Sequence, residues 1–254
     1  MAAGFSKWHA FGNSYLLVER DDSGRPLEAG DARRLCDPGV GVGSDGVLEV
    51  VSADGDRAEV IVWNPDGTTA ELSGNGTRIA AAWLAARSGL AAVTIVVGER
   101  EVAARVGAAS VETDVGVAEL GEIETLALNE EHVEFTPVSV GNPHAVIRGD
   151  PAEIGRVGPL VERHERFPER TNVQLVRVDG LGELTVAVWE RGAGETQASG
   201  TSAVAAAAVA VASGWCESPV TVHLPGGDLV VRLDADNRAT LVGPAVEICR
   251  GELV

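Results

Sequence analysis

The chain has 254 residues, of which 45% are hydrophobic, 23% charged and 4% aromatic. This length and hydrophobic content indicate one large or two small folded domains rather than a disordered chain. The formal charge of −18 and the scarcity of aromatic residues disfavour nucleic acid and anionic membrane surfaces as partners.

The cysteine and lysine contents exclude several kinds of chemistry. Cys36, Cys216 and Cys249 lie far apart, which argues against a disulfide scaffold or a CxxC site and favours a reducing, cytoplasmic location. Lys7 is the sole lysine, so a Schiff-base enzyme or a phosphate-binding lysine would depend on it alone. The first residues lack a signal-peptide pattern, and the longest apolar run, Ala203–Ala212, is about half of the ~20 residues that a membrane helix needs.

The predicted elements, taken in chain order, repeat. In the first half, a strand at Val60–Trp63 is followed by Ser73-Gly74, an Ala-rich helix over Thr77–Gly89 and a strand at Val93–Val97. In the second half, strands at Val173–Val178 and Val186–Trp189 are followed by Ser199-Gly200, an Ala-rich helix over Ala203–Gly214, and strands at Val220–Leu224 and Leu229–Leu233.

The offset between the two sets is constant over the best-matched part. Val60–Trp63 and Val186–Trp189 lie 126 residues apart, and the same offset places Ser73 on Ser199. Because 126 is close to half of 254, the chain is predicted to contain two copies of one unit. Runs of strands with few helices indicate an α+β fold with largely antiparallel sheets.

An acidic segment connects the two copies. The stretch from Val106 to Ile147 has no lysine or arginine, and eight acidic residues fall between Glu112 and Glu134. The pattern is typical of a solvated acidic face.

The two Ser-Gly loops have two interpretations. Free amides at a helix N-terminus, with glycines that allow close approach, can bind an anion such as a carboxylate. Alternatively, Ser73 and Ser199 are ordinary helix N-caps. Matched positions in a repeat favour the first interpretation.

Polar clusters flank these loops and supply donors and acceptors for a small zwitterion. They contain four asparagines, a Glu–Arg pair and one histidine: Asn13, Asn64, Asn142, Asn172, Glu190, Arg191 and His144. The histidines lack the spacing of a zinc site, so no metal is expected.

At these residues the sequence resembles the diaminopimelate epimerase family, nearly end to end. The resemblance is carried by Lys7–Asn13, Gly43–Gly46, Asn64–Gly67, Gly74–Arg78, Gly141–His144, Thr171–Val173, Glu190–Thr196, Leu224–Gly227 and Gly243–Ala245. It implies two similar domains, residues 1–113 plus 244–254 and residues 114–243, each with strands wrapped around a central helix. The active site is then expected in the cleft between them.

The resemblance also implies a mechanism without pyridoxal phosphate or metal. One base removes the α-proton of diaminopimelate from one face while an acid protonates the other. The family's catalytic cysteines precede the glycines of the two loops, and here Ser73 and Ser199 occupy those positions. A serine hydroxyl is a far weaker acid than a thiol and needs a partner base, for which His144 and Glu190 are the candidates.

The family's substrate-binding positions are retained. Asn13, Asn64, Asn172, Glu190 and Arg191 match residues that hold the distal amino-acid end of the substrate, and Asn142 is assigned to the same pocket. Gly74, Asn75, Gly200 and Thr201 match residues that hold the reacting carboxylate. The implied partner is a small amino acid, no cofactor is expected, and a homodimer is one compatible assembly.

Three functions remain open at this point. The first is an epimerase that works through Ser73 and Ser199 with His144 and Glu190 assisting. The second is a lyase or isomerase of the same superfamily, such as a hydroxy-amino-acid dehydratase, which needs only one strong base. The third is a catalytically impaired variant that binds diaminopimelate without turnover.

Overall fold

The repeat in the sequence is also a repeat of strand order. A computed structural model describes residues 4–20, 25–70, 73–129 and 131–253. The chain divides into two compact units, unit 1 (Met1–Thr113 and Gly243–Val254) and unit 2 (Asp114–Val242).

Unit 1 is built from strands and two helices, and its last strand comes from the end of the chain. Its elements are β1 (Gly4–Ala10), β2 (Asn13–Glu19), α1 (Ala29–Cys36), β3 (Val47–Asp54), β4 (Arg57–Trp63), β5 (Thr69–Ala70), α2 (Gly74–Ser88), β6 (Ala92–Val97), β7 (Arg100–Val106), β8 (Val111–Val117, which crosses the unit boundary) and β19 (Val246–Glu252).

Unit 2 repeats this succession. Its elements are β9 (Glu119–Leu120), β10 (Glu124–Leu128), β11 (Glu131–Ser139), β12 (Pro143–Arg148), a short 3-10 helix (Pro151–Glu153), α3 (Ile154–Glu162), β13 (Asn172–Gly180), β14 (Glu183–Glu190), β15 (Gly194–Thr196), α4 (Gly200–Ala212), β16 (Val220–Leu224), β17 (Gly227–Leu233) and β18 (Arg238–Gly243).

The pairing of strands matches between the units. In unit 1 the order is β1-β2-β3-β4-β6-β7-β8, with the β2–β3 and β4–β6 pairs parallel and the others antiparallel. In unit 2, β11-β12-β13-β14-β16-β17-β18 follow the same order, with β12–β13 and β14–β16 parallel. Each parallel pair is joined through a helix, as a parallel connection requires. The predicted α+β class with largely antiparallel sheets is confirmed.

Each unit has a central helix that is buried in its core. In α4 the residues from Ala203 to Ala210 are at most 1% exposed, and in α2 the stretch from Ile79 to Leu84 is buried. A helix buried on every side must be apolar all round, and alanine keeps it narrow enough for strands to approach from several directions. The alanine content of both helices thus follows from their central position.

Both central helices begin three residues before their predicted starts. They were expected from Thr77 and Ala203, but α2 begins at Gly74 and α4 at Gly200. Ser73 and Ser199 are the N-cap residues, so the glycine amides occupy the first turn of each helix. The sequence prediction was wrong here because Gly-rich starts carry little helix propensity.

The acidic segment is only partly a solvated face. Glu119, Glu122, Glu131 and Glu134 are exposed. Three acids of the segment nevertheless pair with arginines from elsewhere in unit 2, in the pairs Asp114–Arg238, Glu124–Arg166 and Glu131–Arg156. Glu130 lies outside the described residues. In the described part of the chain, no helix is long and apolar enough to cross a membrane.

Candidate active site

Each unit gathers polar side chains around the N-terminus of its central helix. Half-site 1 comprises Asn13, Tyr15, Asn64, Ser73, Gly74, Asn75 and Arg78 of unit 1. Half-site 2 comprises Asn142, His144, Asn172, Gln174, Glu190, Arg191, Thr196, Ser199, Gly200 and Thr201 of unit 2.

Ser73 of half-site 1 is held by two hydrogen bonds. Its Oγ accepts from the backbone N–H of Gly76 at 3.0 Å, which is the usual N-cap contact. The same oxygen lies 3.0 Å from the hydroxyl of Tyr15, and either group can be the donor. A Cβ on Gly76 would lie 3.0 Å from Leu48 Cδ2 and 3.2 Å from Ser73 Oγ, so glycine keeps this space open for the serine.

Tyr15 reaches Ser73 because Gly46 leaves room for its ring. Tyr15 lies on β2 and is 7% exposed, packed in the core of unit 1. A Cβ on Gly46 would lie 2.5 Å from Tyr15 Cε1, a distance that would displace the ring. The backbone next to Gly46 is tied to β2 by Ser14 and Asp45. Asp45 Oδ2 accepts from the backbone N–H of Ser14 at 2.7 Å and from its hydroxyl at 2.9 Å.

A buried cation orients the asparagines of half-site 1. Arg78 is fully buried, and its Nη2 donates to Asn75 Oδ1 at 2.6 Å. Asn75 Nδ2 in turn donates to Asn13 Oδ1 at 3.2 Å. Arg78 Nε and Nη1 have no hydrogen-bond partner in the described chain, and burial lowers the pKa of the guanidinium to about 10. Arg78 is therefore still charged at neutral pH.

Asn64 lies in the turn that follows β4. Its side-chain Nδ2 donates to Thr68 Oγ1 at 2.9 Å, and this hydroxyl donates to Asp66 Oδ1 at 2.6 Å. The preceding Trp63 donates from Nε1 to the buried carboxylate of Glu49 at 2.9 Å, which anchors the end of the strand.

Ser199 of half-site 2 differs from Ser73 because its side chain makes no capping bond. Its hydroxyl instead interacts with the carboxylate of Glu190 and lowers the pKa of that group, and the same carboxylate accepts from Thr196 Oγ1 at 2.9 Å. Burial raises the pKa of Glu190, and the two hydroxyl donors offset part of this rise. The arrangement is a hydroxyl paired with a desolvated carboxylate at a helix N-terminus.

His144 is a neutral, fully engaged imidazole. It is 1% exposed, its Nε2 lies 2.9 Å from Asn142 Oδ1, and the Nε2 of Gln174 lies 3.0 Å from its Nδ1. Burial, reinforced by the positive charge of Arg191, lowers the pKa of His144 to about 3. With the Gln174 amide donating to Nδ1, the single ring proton sits on Nε2 and is donated to Asn142.

Asn172 ties two segments of half-site 2 together. Its Nδ2 donates to the carbonyl of Pro143 at 2.9 Å, and its Oδ1 accepts from the backbone N–H of Arg191 at 3.0 Å. Glu162 is buried and accepts from Trp189 Nε1 at 2.9 Å and from the backbone N–H of Gly192 at 2.8 Å. These contacts fix the β14–β15 turn that carries Glu190 and the exposed Arg191.

Strand register shows which positions of the two half-sites correspond. In unit 1, Leu16 pairs with Val47 and Val47 with Trp63. In unit 2, Ala145 pairs with Val173 and Val173 with Trp189. Leu16 is therefore equivalent to Ala145. The remaining equivalences follow by counting along the strands: Tyr15 with His144, Asn13 with Asn142, Gly46 with Asn172, and Asn64 with Glu190.

The structure brings most of the predicted residues together within their own units. A direct hydrogen bond joins Asn75 to Asn13, and the Ser199 hydroxyl lowers the pKa of Glu190, while Gly74, Gly200 and Thr201 lie in the first turns of the central helices. Sequence reasoning did not single out Tyr15, Arg78, Gln174 or Thr196. Tyr15 could have been found because it follows Asn13 by two residues on a strand, and Arg78 because it follows Asn75 by three on a helix.

No group of three or more His, Cys, Asp or Glu side chains able to hold a metal ion occurs among residues 4–20, 25–70, 73–129 and 131–253.

Comparison with known sequences gives matches over both units. The model of the family described as diaminopimelate epimerase matches residues 5–120 and 136–248. A diaminopimelate epimerase of Desulfitobacterium hafniense is 36% identical over 98% of this chain and 97% of its own length. A diaminopimelate epimerase of Moorella thermoacetica is 37% identical over 98% of each chain.

Comparison with solved structures gives the same fold at low sequence identity. A predicted epimerase from Pseudomonas aeruginosa has a TM-score of 0.73 at 18% identity, covering 99% of both chains. A hydroxyproline epimerase from Agrobacterium vitis, with bound trans-4-hydroxy-L-proline, has a TM-score of 0.71 at 14% identity, covering 99% of this chain and 92% of its own.

Proposed function

The chain belongs to the diaminopimelate epimerase family, and we propose that it inverts the α-carbon of LL-diaminopimelate to give meso-diaminopimelate, a precursor of lysine and peptidoglycan. The family resemblance predicted from the motifs is thereby confirmed. The observation that carries the proposal for this chain is the contact between Ser199 and Glu190, which gives a serine in a cysteine position the partner base that it needs.

Glu190 is the proton acceptor of half-site 2 in this proposal. A carboxylate that accepts the Ser199 proton allows the serine oxygen to take the α-proton of the substrate at the same time. Burial raises the pKa of Glu190, which makes it a stronger base than an exposed carboxylate. Its two oxygens have about four acceptor positions, so the carboxylate can still bind the distal ammonium group of the substrate.

His144 and the amides provide binding and orientation in the same scheme. Because both ring nitrogens of His144 are engaged and the ring is neutral, we assign it to fixing Asn142 rather than to proton transfer. Asn13, Asn64, Asn142, Asn172 and Arg191 are assigned to the distal end of the substrate. Gly74, Asn75, Gly200 and Thr201 are assigned to its reacting carboxylate, beside helix N-termini that favour an anion.

The proposed reaction also implies which domains, cofactors and partners take part. It requires half-site 1 and half-site 2 to act on one substrate molecule, in two domains of residues 1–113 plus 244–254 and 114–243. No cofactor takes part. We further propose a cytoplasmic homodimer. The formal charge of −18 supports the absence of a nucleic-acid or anionic-membrane partner.

Hydrogen exchange tests the reaction directly. The purified chain is incubated with LL-diaminopimelate in D₂O, and deuterium at Cα and the stereochemistry are followed by NMR. Deuterium entry with inversion is the expected result. Binding measured by calorimetry without any exchange would contradict the proposal and identify an impaired diaminopimelate-binding variant.

Restoring the thiols should raise the rate. A thiol has an ordinary pKa of about 8.5 and is lowered at helix N-termini, whereas a serine hydroxyl is a much weaker acid. The double variant Ser73→Cys/Ser199→Cys should therefore exchange the α-proton at least ~100-fold faster than the unmodified chain.

The control for this variant lies at the other ends of the same helices. Ser88→Cys/Ser213→Cys introduces two thiols at the C-terminal ends of α2 and α4 and should leave the rate unchanged. Equal rates for the half-site variant and the unmodified chain would show that the scaffold, and not the pair of hydroxyls, limits exchange.

The unequal half-sites favour one second candidate, a superfamily dehydratase. Within residues 4–20, 25–70, 73–129 and 131–253, a carboxylate lies beside the serine of half-site 2, whereas Asn64 occupies the position corresponding to that carboxylate in half-site 1. Loss of water from a 3-hydroxy amino acid needs one strong base, so this substrate class is assayed beside diaminopimelate. Release of water without inversion of diaminopimelate would favour the dehydratase.

A further inference from the structure

We infer that Tyr15 is the terminal proton donor and acceptor of half-site 1, exchanging a proton with the α-carbon of the substrate through the hydroxyl of Ser73. The inference rests on the proposed epimerisation, because it names the group that completes the acid side of that reaction.

The first step is the contact itself. Tyr15 OH and Ser73 Oγ are 3.0 Å apart, a normal distance for a hydrogen bond between hydroxyls. The tyrosine ring is 7% exposed and is held in the core by its neighbours, while Gly46 leaves the space that the ring occupies. The phenol is therefore fixed in a position that faces the serine.

The second step is the hydrogen-bond capacity of Ser73. A serine hydroxyl has one proton and two lone pairs, and the N–H of Gly76 occupies one lone pair. When Tyr15 donates to the second lone pair, the proton of Ser73 is free to be given to the substrate. When Ser73 donates to Tyr15, that lone pair is free to take a proton from the substrate. The two orientations of one hydrogen bond thus correspond to the acid and base states of the half-site.

The third step is acidity. An alcohol that gives its proton to the carbanion is left as an alkoxide, a strong base that must be reprotonated, and a phenol, with an ordinary pKa of about 10, is acidic enough to supply that proton. In half-site 2 the carboxylate of Glu190 is the group that exchanges a proton with Ser199. The strand position equivalent to Tyr15 is His144, which is bound to Asn142 and Gln174 instead. Among the described residues of its own unit, each serine therefore contacts one ionisable side chain, and that side chain differs between the units.

The fourth step is the proton balance. The α-proton passes to Ser199 Oγ as the Ser199 proton passes to the Glu190 carboxylate. On the other face, the Ser73 proton passes to the α-carbon as the Tyr15 proton passes to Ser73 Oγ, which leaves a phenolate and a carboxylic acid. The reverse turnover, or exchange with water, restores the starting state. Both directions need one proton on the Glu190–Tyr15 pair, so a bell-shaped pH dependence is expected.

The first experiment removes only the phenol oxygen. Tyr15→Phe keeps the buried ring and should lower α-proton exchange of diaminopimelate at least ~100-fold. The control is Ser6→Ala, which removes another buried hydroxyl of unit 1 that accepts from Trp8 Nε1 at 2.8 Å and should leave exchange within about 2-fold. Circular dichroism of both variants monitors folding. Tyr15→Phe exchange equal to that of the unmodified chain would overturn the inference.

The second experiment changes the acidity of the phenol without removing it. Tyr15 is the only tyrosine of the chain, so growth with a fluorinated tyrosine modifies this position alone. The titration of its phenol can then be followed by absorbance without interference from other tyrosines. We expect the alkaline limb of the exchange rate to move to lower pH together with that titration. A limb that stays in place while the phenol titration moves would overturn the inference, and a purely structural role of the ring predicts no movement.

The outcomes separate this inference from the proposed function. If the unmodified chain exchanges no α-proton of diaminopimelate, the proposed epimerisation fails and the proton role of Tyr15 fails with it. If the unmodified chain exchanges and Tyr15→Phe exchanges equally well, only the role of Tyr15 fails.

Discussion

Ser73 and Ser199 occupy the same place in two copies of one fold, yet their hydroxyls do different things. Ser73 caps α2 by accepting from Gly76 and contacts the phenol of Tyr15. Ser199 makes no capping bond and interacts with the carboxylate of Glu190 instead. A serine before a buried helix therefore either caps the helix or interacts with an ionisable side chain, according to the residue placed beside it.

The partners differ because equivalent strand positions carry different residues. Register aligns Asn64 with Glu190 and Tyr15 with His144. Half-site 1 therefore has a neutral amide and a phenol where half-site 2 has a carboxylate and a neutral imidazole. In the proposed reaction this difference supplies the acid on one side and the base on the other.

The largest effect is expected from removing the base of half-site 2. Glu190→Gln keeps the size of the side chain but cannot take the Ser199 proton, so α-proton exchange should fall about 1,000-fold, equivalent to ~4 kcal/mol of the activation barrier. NMR exchange in D₂O measures the rate. Glu195→Gln, at a nearby exposed carboxylate, should have little effect. A loss below about 10-fold in Glu190→Gln would place the base elsewhere.

The next largest effect is on the pH dependence of stability, and it is caused by His144 of half-site 2. Burial lowers the pKa of His144 to about 3, while the unfolded chain has the ordinary value of about 6.5. The unfolded state therefore binds the proton first, and folding is disfavoured as the pH falls below 6.5. Between pH 8 and pH 5 this group should lower the free energy of unfolding by ~2 kcal/mol.

Urea unfolding at the two pH values tests this sign. His144→Gln cannot titrate, so the difference in its unfolding free energy between pH 8 and pH 5 should be ~2 kcal/mol smaller than that of the unmodified chain. His132→Gln, at an exposed position, should follow the unmodified chain. Parallel pH dependences of all three proteins would show that His144 is not buried in the neutral form.

The smallest effect separates the two serines as caps. Ser73→Ala removes the oxygen that accepts from Gly76 and should destabilise the chain by about 1 kcal/mol. Ser199→Ala removes no capping bond, so in a Glu190→Gln background, where no carboxylate is left for its hydroxyl, it should cost less than ~0.5 kcal/mol. Urea midpoints at pH 8 measure both. Equal losses would mean that Ser199 caps α4 as Ser73 caps α2.

The architecture could be predicted from the sequence because local and repeated residue patterns determine it. β-Branched runs, two Ala-rich segments and an offset of 126 residues are local or repeated patterns, and they identified strands and central helices. The helix starts were wrong by three residues, since Gly74 and Gly200 are poor helix formers and only the capped geometry places them in a first turn.

The chemistry of the two half-sites was harder to predict because it depends on contacts across strands. Asn13, Ser73, Asn75 and Glu190 could be named from motifs. That Ser73 meets Tyr15, 58 residues away, depends on the register of β2 and on the space left by Gly46. The neutral state of His144 likewise follows from burial and from its two amide neighbours, neither of which a linear pattern reveals.

The enclosure of the two central helices has an electrostatic consequence. A peptide dipole that runs through solvent is screened by water and salt, but α2 and α4 are surrounded along most of their length by apolar strands and alanines. Their positive ends point to Ser73 and Ser199, which are partly exposed, while the rest of each helix lies in a medium of low polarisability. The preference of these two positions for negative charge should accordingly weaken less with rising ionic strength than at the end of a surface helix, even in a chain whose own net charge is strongly negative.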